Sequence, residues 1–159
     1  MPIDPLALRR VLSRFPTGVT IVGTKHQPEG VCGLTVNAFA SVSLEPPLVL
    51  VCVDRNSNTH GCIEASGLFT VNVLASGHED LATSFARKRD DKFNGLAHRV
   101  ADSGVPIMED VVAWLECRVR DVFEGGDHTI FLGEVLRAEE GDGRPLVFFR
   151  SGYTTTVNE

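Results

Sequence analysis

Apolar residues recur at helical spacing near the start of the chain. Leu8, Val11, Leu12 and Phe15 follow Asp4-Pro5, a capping residue and a first-turn proline, and the run stops at Pro16-Thr17-Gly18. This predicts a short amphipathic helix with Arg9, Arg10 and Arg14 on its polar face. Beyond it the spacing is mostly that of strands. Residues 19–24 predict the first strand and residues 26–30, with Pro28 and Gly30, a turn into a second strand that carries Thr35 and Asn37. Pro46 and Pro47 interrupt any ladder and turn the chain. The run 48–53, LVLVCV, is almost wholly apolar and rich in β-branched residues, which predicts a strand buried on both faces. A polar loop at 54–59 leads into a helix from His60 to Gly67, and residues 69–75 form another strand, with Val71 and Val73 on one face and Thr70 and Asn72 on the other. Residues 78–86 predict a further helix. From 111 to 119 the alternation is clean: Val111, Ala113, Leu115, Cys117 and Val119 share one face, and Glu116, Arg118 and Arg120 the other. That strand pairs with 129–137 across Glu124-Gly125-Gly126-Asp127-His128, and a last strand begins at Pro145 and ends in a glycine turn.

Short strands joined by two or three helices suit a closed or nearly closed β-barrel better than a parallel α/β sheet. No G-x-G-x-x-G follows the first strand, so a Rossmann nucleotide fold has no support. A length of 159 residues predicts one domain spanning residues 1–159. The formal charge of −6 argues against a nucleic-acid or anionic-membrane surface, and the densest basic stretch, R-K-R-D-D-K at 87–92, is half neutralised by its own carboxylates. No apolar run approaches the ~20 residues of a membrane span, and the start of the chain lacks the order of a secretory signal, so the cytoplasm is expected. Cys32, Cys52, Cys62 and Cys117 form no C-x-x-C pair and have no histidines at zinc-finger spacing; they are expected to be reduced structural thiols, with no metal.

The chemistry is concentrated in residues 33–53. Gly33, Thr35, Asn37, Ala38, Ala40, Ser41 and Ser43 are small or hydroxylic and let main-chain amides approach a flat polar ligand. After the apolar strand, Arg55, Ser57 and Asn58 stand before a helix N-terminus, a natural anion site that is also an ordinary cap. His128 lies in a glycine-rich hairpin turn, and Tyr153 is the only tyrosine. From the residues alone, a strand-turn-strand, core packing of Phe93 and a surface tyrosine remain open alternatives.

The pattern T-x-N-[AS]-F-x-S-x-S-x-x-P-P-L is met by Thr35, Asn37, Ala38, Phe39, Ser41, Ser43, Pro46, Pro47 and Leu48. A second, F-[AS]-x-K-x-x-D-K-F-x-G, is met by Phe85, Ala86, Lys88, Asp91, Lys92, Phe93 and Gly95. A third is Gly126-Asp127-His128, and the chain closes on an aromatic strand leading to Tyr153. Together these resemble the short flavin reductases, split-barrel flavoproteins that supply reduced flavin to two-component monooxygenases. The resemblance implies a mainly β FMN-binding split barrel of antiparallel Greek-key strands. It also implies an NAD(P)H:flavin oxidoreductase that uses FMN or FAD with NADH or NADPH, forms a homodimer and serves a partner oxygenase. It assigns flavin contact to Thr35, Val36, Asn37, Ala38, Ser41, Val53, Asp54, Arg55, Ser57, Asn58, Phe85, Lys92, Phe93 and Tyr153, and places His128 at the nicotinamide. In this assignment Phe93 packs along the flavin ring and Lys92 meets its phosphate or a pyrimidine carbonyl. Ala38 stands where many relatives have serine. A non-catalytic flavin or haem-type module on the same barrel is the alternative. An oxidase of a small phosphorylated substrate such as a pyridoxine phosphate finds little support in an acidic chain with dispersed arginines.

Overall fold

The computed structural model describes residues 1–157. Helix α1 (Pro5–Leu12) is capped by Asp4, whose carboxylate accepts from the Ala7 amide, and none of its residues is buried. Then come β1 (Thr17–Gly18), β2 (Thr20–Lys25), β3 (Val31–Val36), β4 (Phe39–Leu44), β5 (Pro47–Asp54), α2 (Asn58–Ser66), β6 (Leu68–Val73) and α3 (Glu79–Ala86). The chain finishes with β7 (His98–Val100), β8 (Pro106–Met108), β9 (Ala113–Gly125), β10 (His128–Glu140), β11 (Leu146–Phe149) and β12 (Gly152–Thr155). Seven strands form one antiparallel sheet in the order β3-β2-β6-β9-β10-β5-β4, which sends the consecutive strands β3 and β4 to its opposite edges. A smaller sheet orders β1-β11-β12, and β7 pairs with β8 alone. The described residues are thus mainly β and antiparallel, with three helices in the connections.

The strands are buried on two sides because the sheet lies between two apolar clusters. Val22, Val51, Phe69 and Phe131 pack in one, with Ile63 of α2; Ile21, Phe85, Ile107, Trp114 and Leu146 pack in the other. Adjacent residues of β2 therefore enter different cores.

Several expectations need correction. Strand β5 is not buried on both faces: Val49, Val51 and Val53 enter the core, but Leu48, Leu50 and Cys52 are only half-buried. The face of β9 expected to meet water instead buries Trp114 and Glu116, and Thr70 and Asn72 of β6 are fully enclosed. The cause is the segment holding β7 and β8, which lies over that face. Asn72 donates to Ile21 O at 3.1 Å and accepts from the Met108 amide at 2.9 Å, while Thr70 donates to Pro106 O at 2.7 Å. These bonds satisfy polar groups that burial would otherwise penalise. Cys32 and Cys62 are not separate thiols but a disulfide joining β3 to α2, whereas Cys52 and Cys117 are free.

Candidate functional site

Strand β3 is an edge strand, so one side of its backbone is not used by a sheet neighbour. Where it ends, Thr35, Val36, Asn37 and Ala38 line a cavity of about 460 Å³ shared with Asp54, His128 and Tyr153. These residues come from four separate stretches of chain, and each is held by a traceable contact. Thr35 Oγ1 donates to Ala82 O at 2.6 Å, which fastens β3 to α3. Asp54 and His128 are paired across β5 and β10. Tyr153 is paired with Phe148 across β11 and β12, their ring centroids 5.4 Å apart.

Two features give the cavity chemical character. Asn37 Oδ1 is buried with no hydrogen-bond partner among the described residues. An orphaned polar atom of this kind costs about 1–3 kcal/mol, a cost that a complementary group would relieve. A planar heterocycle with an N–H in its ring edge, as in the flavin pyrimidine, meets that requirement. The second feature is His128, whose Nδ1 lies 2.7 Å from Asp127 Oδ1. That bond, with the charge of the imidazole behind it, holds the Asp127 carboxyl below its ordinary value of 3.8. The turn beneath it needs Gly126, at φ 72°. Arg55 reinforces the same turn, its amide donating to Asp127 O at 3.1 Å and its guanidinium reaching Gly126 O at 3.5 Å.

Other predicted contacts fall elsewhere. The Val53 and Phe85 side chains are wholly buried in the two cores, and Val53 offers a ligand only main chain. Phe93 does not lie along the cavity but packs edge-on against Phe85, centroids 4.9 Å apart. Lys92 is buried, and its Nζ donates to Gly33 O and Phe85 O, both at 2.9 Å, so two of its three N–H donors are engaged with main chain. Burial first, and Arg89 second, lower its pKa. Ser41 is exposed on β4 and does not line the cavity. The Ser57 hydroxyl caps α2, accepting from His60 N at 3.2 Å and donating to Asp54 O at 2.7 Å. Asn58 donates to Asp90 at 3.2 Å and, with Lys92 and Phe93, lines a second cavity.

The sequence pattern overlooked Cys52, Ala86 and Phe148, which also line the first cavity. It also overlooked a brace behind His128, in which His60 Nε2 lies 2.7 Å from Thr129 Oγ1 and His60 Nδ1 lies 2.9 Å from Glu64. Along β5, alternation places Cys52 on the face opposite Val51 and Val53, the one local signal for its position.

Residues 12–156 match the family model described as flavin reductase like domain. A flavin reductase of Pseudomonas putida is 45% identical over 153 residues, covering 95% of this chain and 89% of the relative. The reductase subunit of a flavin-dependent monooxygenase from Mycobacterium tuberculosis is 43% identical over 155 residues, covering 96% and 82% respectively. Among solved structures, the NADH:FAD oxidoreductase of Streptomyces globisporus in complex with NAD and FAD fragments aligns with a TM-score of 0.89 at 40% identity, covering 97% of this chain and 95% of that one.

Proposed function

The chain belongs to the flavin reductase like family, and from that premise we propose that it is an NAD(P)H:flavin oxidoreductase that reduces FMN or FAD and supplies the product to a partner monooxygenase. The flavin supplies the hydride-accepting chemistry. The protein's part is placement. The free edge of β3 and Asn37 would hold the pyrimidine end of the ring, and first-turn amides of α2 would take the phosphate. His128, oriented by Asp127, holds the nicotinamide end of the dinucleotide within reach, a positioning role that needs no general base. The observation that carries this proposal is the cavity that brings together Asn37, whose buried Oδ1 has no partner among the described residues, with His128 and Tyr153.

The relatives named for NADH and for a monooxygenase support the choice of donor class and of partner. We also infer that residues 1–159 work as a single domain and that two copies associate. Leu6, Leu12 and Phe15 of the α1 region are 61%, 61% and 73% exposed, an apolar face that a second copy would cover. No helix among the described residues is long and apolar enough to cross a membrane. The cytoplasm, where reduced nicotinamide is made, is the proposed working compartment.

The deciding experiment is anaerobic mixing of the flavin-loaded protein with NADH or NADPH, followed at the flavin absorption bands. Rapid bleaching is expected; a bound flavin that stays oxidised would identify a non-catalytic module. His128→Ala is expected to raise the dinucleotide KM at least tenfold while flavin affinity stays within about twofold, the pattern of a lost positioning contact. An unchanged dinucleotide KM removes His128 from the site.

A further inference from the structure

The second cavity, about 870 Å³, lies along the first half of β3, from Val31 to Gly33, and His26, Cys32 and Cys62 are among its walls. His26 opens the turn between β2 and β3, its amide donating to Gly30 O at 2.8 Å. Cys32 sits opposite Thr24 in the β2–β3 ladder, and Cys62 projects from α2. One imidazole nitrogen and the two sulfurs all lie within 4.8 Å of one another. Two thiolates and an imidazole are a soft donor set of the kind zinc selects. Bonds of about 2.3 Å to sulfur and 2.0–2.1 Å to nitrogen place tetrahedral ligands roughly 3.5–3.8 Å apart, within the 4.8 Å that spans the three atoms here. With three protein ligands, the fourth position falls to water, and the cavity provides room for it. Glu29, Asp90 and Asp91 line the same cavity and add negative charge, against which Arg89 and the engaged Lys92 count.

We propose that His26, Cys32 and Cys62, when the cysteine pair is reduced, bind one zinc-class divalent ion, and that formation of the disulfide closes this site. Opening it breaks the S–S bond with two electrons from the reductant: a dithiol also gives the two protons as it closes to its own disulfide, whereas with a phosphine water gives the protons and its oxygen ends on the phosphine oxide. Metal binding then releases the thiol protons to solvent. Closure returns two electrons to an oxidant of the diazene class, and the ion leaves. A purely structural disulfide makes no use of the imidazole; the metal site does. None of its three ligands is assigned to the flavin above, although Asn58 and Thr59 of the first turn of α2 wall the same cavity.

The test uses the full chain, reduced with a phosphine, desalted anaerobically and titrated with Co²⁺ as a spectroscopic probe. One equivalent per chain is expected to bind with a thiolate-to-cobalt charge-transfer band that Zn²⁺ displaces and diamide abolishes. Cys32→Ser and Cys62→Ser are each expected to lose the band. His26→Ala leaves the disulfide untouched and sits on an exposed turn, so it reports even if the cysteine variants fail to fold. It should weaken Co²⁺ by more than the roughly 10- to 100-fold that loss of an outer-sphere partner costs. The proposal is overturned by absence of the band in the reduced chain, by its persistence in a Cys32→Ser/Cys62→Ser double variant, or by unchanged affinity in His26→Ala. It is equally overturned if denaturing mass spectrometry finds Cys32 and Cys62 still joined after the phosphine.

Discussion

Replacing Lys92 with methionine separates two roles for the residue. In the fold its ammonium holds Gly33 O on β3 and Phe85 O at the end of α3, both at 2.9 Å, and so clamps the segment after α3 onto the edge strand of the site. Methionine keeps the chain length and removes both donors. Each buried carbonyl left without that partner costs about 1–3 kcal/mol. Against this, the variant no longer buries a cation, a burden visible in the lowered pKa of Lys92, so a net loss of about 2 kcal/mol is expected. For a domain of this size that corresponds to a Tm lower by roughly 4–8 °C. The pH dependence has a definite sign. Between the depressed folded pKa and 10.5 the unfolded chain binds more protons at this residue, so wild-type stability gains from this group as pH rises through that window, and the variant lacks the gain. The assay is thermal unfolding alongside titration of FMN and of riboflavin, which lacks the phosphate. The clamp predicts a lower Tm with the FMN-to-riboflavin affinity ratio unchanged within about twofold. An unaltered Tm with a tenfold fall in that ratio would refute the clamp and return Lys92 to the phosphate.

Three further substitutions test other contacts. Burial, followed by Glu116, pushes the Cys117 thiol up from 9.0 to about 12, so the folded chain keeps a proton that the unfolded chain loses and stability falls as pH climbs through that range. At about 1.36 kcal/mol per unit, wild type should lose about 2 kcal/mol more than Cys117→Ala between pH 9 and 10.5 in urea unfolding, and parallel profiles count against it. Gly133→Ala would put a Cβ 2.5 Å from Phe69 Cζ and 3.0 Å from Cys117 Cβ; a cost of about 1–3 kcal/mol is expected in the same assay, and a neutral result would mean the strands are not so closely packed. Asp127→Asn should raise the dinucleotide KM by about 2- to 10-fold with flavin affinity preserved, because it weakens only the partner that orients His128; a change confined to flavin affinity contradicts that role.

The elements most legible in the sequence were those with their own punctuation. Asp4-Pro5 started α1, Gly67 ended α2 in a left-handed conformation at φ 69°, and the glycine pair before His128 turned the long hairpin. Burial was less legible wherever a distant segment supplied it. Nothing local to β6 or β9 announces that residues 98–108 will cover Thr70, Asn72 and Glu116. The same limit explains Phe93 and Lys92. A motif fixes residue types, but whether an aromatic meets a ligand or a core depends on what it finds opposite, and here Gly33 leaves a gap that the rings of Phe85 and Phe93 fill, both 2.8 Å from where its Cβ would stand. The Cys32–Cys62 pair, 30 residues apart, is likewise a product of tertiary approach.

The first cavity draws its walls from residues near 35, 54, 128 and 153. A chain emerging from synthesis or returning from denaturant therefore has no half-made version of it, since the C-terminal hairpin must dock before the pocket exists. Flavin fluorescence quenching should lag behind the recovery of far-ultraviolet ellipticity, and truncation before β12 should leave a folded sheet with little grip on the ring. Competence to bind thereby reports that the whole chain has arrived.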